Sequence, residues 1–118
     1  MLIPKSQSLL KTAAILFLVD LFWLSTGGIF ARQMTQRIQG HPIQFRYLSA
    51  VVVYLVMAYM LLQVTSYKQA FLYGVCIYAV YDFTNYAILS NYDLRFAIAD
   101  TLWGGILFMA GFHLLKAF

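Results

Sequence analysis

Four apolar runs, each near the length that crosses a bilayer and joined by connectors too short to fold alone, decide what this chain can become. They run from Leu10 to Phe30, Tyr47 to Thr65, Ala70 to Ser90 and Phe96 to Leu115. A helix rises about 1.5 Å per residue, so about 20 residues span the roughly 30 Å hydrocarbon core. Composition points the same way. Of 118 residues, 63% are hydrophobic and 10% charged, against about 25% charged in a soluble domain. Too little polar surface is available to face water. The expected fold is all-α: a polytopic transmembrane four-helix bundle filling residues 1–118 as one integral membrane domain, with an amphipathic extension after the first span.

The opening "MLIPKSQSLLKTAAILFLVDLFWLSTGG" sets lysines before an apolar run, as a signal peptide does. Asp20 interrupts that run and no small-residue cleavage site follows, so the segment is expected to stay as the first span. Its helix is expected to continue past the membrane. Phe30, Met34 and Ile38 recur at helical spacing, with Arg32, Gln33, Gln36, Arg37 and Gln39 on the other faces. Such a stripe lies in the headgroup layer. Gly40 supplies a left-handed cap and Pro42 forbids continuation, and a helix restarts near Phe45 to Tyr47.

The connectors "SYKQ" and "NYDLR" read as tight turns, which makes consecutive spans antiparallel neighbours. Phe45, Tyr47, Tyr67, Tyr73, Tyr92 and Phe96 at span ends fit an interfacial aromatic belt. One side carries Lys5, Lys11, Lys68 and Lys116; the other carries Arg32, Arg37, Arg46 and Arg95. Equal numbers give no positive-inside decision, and the priority of the first helix favours cytoplasmic termini. The basic loop from Arg32 to Arg46 is read as attraction to anionic headgroups rather than to nucleic acid. Cys76 is the single cysteine, which excludes an internal disulfide.

All four acidic residues are aspartates, and Asp20, Asp82 and Asp100 fall inside spans with no lysine or arginine beside them. A charge at the bilayer centre costs about 2.5–3.5 kcal/mol even on the lenient insertion scale. These carboxyls must therefore turn inward and be protonated, hydrogen-bonded or neutralised by something other than a side chain. Counted from the arginine side, Asp100 lies about 7 Å deep, Asp82 about 12 Å and Asp20 about 15 Å. Overlapping depths predict one cluster. Tyr78, Asp82, Asn85 and Leu89 share a face of the third span, and Ala97, Gly104 and Gly111 form a small-residue seam on the fourth. Asp20-Leu-Phe-Trp23 and Asp100-Thr-Leu-Trp103 echo each other, as the halves of an inverted repeat would.

Two functions compete for this cluster. One is a non-enzymatic proton, cation or small-solute site; oxygen ligands from carboxyls and an amide suit a hard cation rather than zinc. The other is a structural or assembly component whose acids only lock helix packing through Asn85, Thr84, Thr101, Ser25 or tyrosine hydroxyls. An intramembrane carboxylate hydrolase is a weaker third, since Asp100 lacks the glycine context of aspartic-protease dyads and no zinc-helix, nucleophile-elbow or phosphate-loop motif occurs. No cofactor is expected. His113 reads as interfacial and His41 as a loop residue. A single chain this short is too small for a conduction path, so transport would need further copies.

Asp20-Leu-Phe-Trp23-Leu, "YAVYDFTNYAIL" and "IADTLWGGIL" resemble a family of small four-span membrane proteins catalogued as domain of unknown function 2177. The pairing of Tyr-Asp-x-Thr-Asn with a later Asp-x-x-Trp-Gly carries the likeness over nearly the whole chain. The resemblance implies that Asp20, Trp23, Tyr81, Asp82, Thr84, Asn85, Asp100, Trp103 and Gly104 are motif residues, and it brings no activity. The connector "RIQGHPIQFRYLSAVVVYLV" looks closest to members from large DNA viruses, which implies a virion internal membrane as one location. The expected partners are the lipid bilayer and further copies of the chain or other membrane or capsid proteins.

Overall fold

Two of the helices, Tyr67–Ile88 and Leu94–Ala117, start where a side chain can satisfy orphan backbone groups. A computed structural model describes residues 6–118. Five helices follow in order, α1 (Ser6–Leu24), α2 (Gly27–Gln39), α3 (Tyr47–Leu62), α4 (Tyr67–Ile88) and α5 (Leu94–Ala117), with no strand among the described residues. The Ser66 hydroxyl accepts from the Gln69 N–H at 3.1 Å and caps α4. Asp93 caps α5 by accepting from the N–H groups of Arg95 (2.7 Å) and Phe96 (3.2 Å). Each cap satisfies donors that have no partner within the helix. Because Ser66 is the cap, the turn expected at residues 66–69 comes earlier, at 63–66. Gly40 ends α2 at φ 80°, a left-handed conformation that suits glycine, and its N–H reaches the Gln36 carbonyl at 2.9 Å.

One expectation fails here. The first helix does not run on into the amphipathic stretch; Ser25 and Thr26 separate α1 from α2. Thr26 takes φ −118°, ψ −84°, and its hydroxyl bonds back to the Phe22 carbonyl at 2.8 Å. The Trp23 ring lies only 2.7 Å from where a β-carbon on Gly27 would stand. The bend turns α2 onto the start of α5, where Met34 is buried against Tyr92, Phe96 and Ala97. Arg32, Gln33 and Arg37 are exposed, so the helix is amphipathic as its spacing predicts. The same cover corrects the aromatic belt. Tyr92 and Phe96 are buried rather than wet.

α4 and α5 form an antiparallel hairpin drawn together by glycine. A β-carbon on Gly74 would collide with the Gly104 carbonyl oxygen, and one on Gly105 would fall 2.6 Å from the Phe71 ring. Without those β-carbons the two backbones approach closely. α1 packs against both α3 and α5. Leu16, Leu61, Leu107 and Phe108 fill the middle of the lysine-side half, and Gly111 leaves room for Leu16 and Leu61.

The surface reverses a soluble protein's pattern. Phe22, Val52, Val56, Val80, Ile98 and Leu102 are exposed, while Asp20, Asp82 and Asp100 are buried. Two helices are long and apolar enough to cross a membrane, α1 from Gln7 to Leu24 and α5 from Leu94 to Ala117. α3 is apolar but has only 16 residues. α4 has 22, and Gln69, Asp82, Asn85 and its tyrosines lower its hydropathy. Two of the four expected spans thus meet both requirements. The Lys11 ammonium donates to the backbone oxygen of Phe118 at 2.6 Å, which brings the start of α1 beside the end of α5. Lys116 caps the rings of Tyr67 and Phe112 at the same end; Lys5 lies outside the described residues.

Candidate functional site

The three aspartates come from three helices and are 4%, 0% and 6% exposed for Asp20, Asp82 and Asp100. Asp20 on α1 accepts from the Trp103 indole at 2.7 Å and the Tyr54 hydroxyl at 2.5 Å. Asp100 on α5 accepts from the Trp23 indole, also at 2.7 Å. The two indoles stack with centroids 5.6 Å apart and 13° between planes. Each helix thus gives its aspartate to the other's tryptophan three residues on. The exchange is reciprocal, in a register that antiparallel helices allow. The short sequence echo is this reciprocal contact.

Asp82, on α4, accepts from the Tyr92 hydroxyl at 2.8 Å and the Thr101 hydroxyl at 3.5 Å. Its carboxyl also stands within hydrogen-bonding reach of Asp100. A bond between two carboxyls requires one of them to carry a proton, because an ionised carboxylate only accepts. Every buried side-chain nitrogen and oxygen among the described residues has a partner.

The remaining predicted site residues divide. Trp23 and Trp103 are the donors just described. Asn85 is partly buried and lies beside the hydroxyls of Tyr81 and Tyr92, so it joins the carboxyls through Tyr92. Tyr81 is 59% exposed but lines the cavity described below. Gly104 serves the close approach to Gly74. Thr84 is a correction: it is exposed, because two residues beyond Asp82 lies about 200° around the helix. Arg32, Arg37 and Arg46 are also exposed, away from the carboxyls. Among the described residues the only ion pair is Arg95 with Asp93, at 3.2 Å on the surface. The Arg95 hydrogen bond holds the Asp93 carboxyl below its ordinary range.

Sequence reasoning missed two donors. Tyr54 shares its face of α3 with the buried Met57, Ala58 and Leu61, and that spacing marks it as inward-facing. No local signal marks Tyr92, whose burial depends on α2 folding across it. Asp20 and Asp100 both line a cavity of about 190 Å³, together with Trp23, Tyr78, Tyr81 and Tyr92. No group of three His, Cys, Asp or Glu side chains among the described residues is placed to hold a metal ion.

Apolar helix faces turned outward around buried carboxyls define a helical membrane protein. The chain belongs to the family described as Predicted membrane protein (DUF2177), whose model matches residues 6–113. That description names no activity, ligand or virus. No curated protein and no solved structure matches the chain.

Proposed function

We propose that α1, α3, α4 and α5 all cross the bilayer, that α2 lies at its surface, and that the buried carboxyls form a non-enzymatic proton and small-solute site. At about 1.5 Å per residue α3 reaches about 24 Å and α4 about 33 Å, enough for a span with modest local thinning. One observation carries the site reading. Asp20 and Asp100 line a single cavity whose wall contains no lysine, arginine or histidine. Acids kept in a membrane interior without a counter-charge mark proton or solute sites more often than lipid contacts. With no metal-holding triad among the described residues, the Asp82–Asp100 pair suits a proton better than a metal ion.

A second reading, a structural lock, has its own support in the reciprocal tryptophan bonds and the completed hydrogen bonding of buried groups. Thermal unfolding in detergent from pH 5 to 8 separates the two. The site reading expects a pH-dependent melting temperature in wild type that is lost when Asp82→Asn and Asp100→Asn are combined. A flat wild-type profile defeats it and leaves the lock.

A further inference from the structure

The polar cavity has a neighbour of opposite character. A second cavity of about 420 Å³ lies between α3 and α4 and is walled by Val52, Val53, Val56, Met57 and Ile77. Tyr78, Tyr81 and Asp100 line both cavities. Val52, Val53 and Val56 are 51%, 51% and 56% exposed, so the apolar cavity lies on the outer face of the helices. At the shared wall the hydroxyl of Tyr78 makes no hydrogen bond among the described residues, although its ring packs over Gly104. The hydroxyls of Tyr54 and Tyr92 and both indoles are engaged with carboxyls.

We propose that this junction binds a lipophilic ammonium ion, its head among the aromatic rings and carboxyls and its alkyl chain in the apolar cavity. The proposal rests on the reading that the carboxyls form a site within the bilayer. Charge decides the head. Asp20 and Asp100 line a wall without basic side chains, which favours a cation and repels an anionic headgroup. The rings of Trp23, Tyr78, Tyr81, Tyr92 and Phe96 line the same space, and aromatic faces attract a desolvated ammonium group. Ammonium N–H groups also supply the donors that Tyr78 and Asp100 can accept, whereas an alcohol brings one donor and no charge. Shape decides the tail. A hydrated inorganic cation gains nothing from a valine-lined space, but an alkyl chain can enter it sideways from lipid.

The test uses the purified full chain in nonionic detergent with decylamine, decanol and decanoate as chain-matched probes. Both tryptophans of the chain are at the site, so their fluorescence is the readout. Decylamine is expected to give a saturable change, with decanol and decanoate weaker by about tenfold or more. Tyr78→Phe removes a hydroxyl that has no protein partner to abandon. It should leave the melting temperature unchanged while weakening decylamine about tenfold. Val56→Phe, which narrows the apolar cavity, should weaken the amine too, and Val51→Phe, exposed but outside that wall, should not. Equal responses to all three probes, or undiminished amine binding by Tyr78→Phe and Val56→Phe, overturn the proposal. A wild type that melts pH-dependently yet ignores decylamine sinks this inference alone, whereas a flat pH profile removes the site reading beneath it.

Discussion

α5 passes through two interiors. Toward the lysine side, Leu107, Phe108 and Gly111 pack against Leu16 and Leu61, all residues whose side chains carry no polar atom. Toward the arginine side, Asp100, Thr101 and Trp103 bond to side chains on two other helices, α1 and α4. The first region is held by fit, the second by pairing. The difference follows from the solvent. Lipid tails are as apolar as leucine, so burying leucine inside a membrane protein gains mainly contact and close packing. A carboxyl or indole N–H gains more from leaving lipid, because hydrocarbon offers it no partner.

Mutations on either side of that boundary test the division. Phe108→Ala should be the most damaging, at about 3–5 kcal/mol from a cavity in a fully buried position, read by reversible unfolding in detergent. Asp20→Leu strands the Trp103 and Tyr54 donors and should cost less, about 1–3 kcal/mol, with Asp20→Asn milder because its carbonyl still accepts. Were Asp20→Leu the worse of the two, pairing rather than fit would dominate the whole molecule. The smallest effect belongs to Asp93→Ala at the exposed mouth of α5. The native pKa of Asp93 is depressed, so its contribution is present above the ordinary carboxylate range and disappears as pH falls through the native value. The variant should melt slightly below wild type at neutral pH and together with it in acid.

Much of this could be read from residue order alone. Helical class, the Gly40 stop, the small-residue seam of α5 and the inward turn of Asp20, Asp82 and Asp100 all follow from spacing and from the cost of a charge in oil. The echo at Trp23 and Trp103 was visible too, but not its meaning. Register between helices 77 residues apart depends on packing order, which no local pattern encodes. The bend at Ser25–Thr26 escaped for a related reason. A back-bonded threonine and a glycine beside a tryptophan ring can sit in a continuous helix, and what favours the break is the Tyr92–Phe96 surface that α2 covers. Tyr92 and Phe96 therefore look interfacial in sequence and are interior in space.

The indole exchange also has a history written into the order of synthesis. Asp20 leaves the ribosome 83 residues before the tryptophan that will bond it. At a translation rate of about 5–20 residues per second, that interval is roughly 4–17 s. During it the acid of the first helix has only the Tyr54 hydroxyl, made 34 residues later, as a partner in its own chain. Any insertion machinery or neighbouring chain that shelters that acid completes its hydrogen bonding until the last helix arrives.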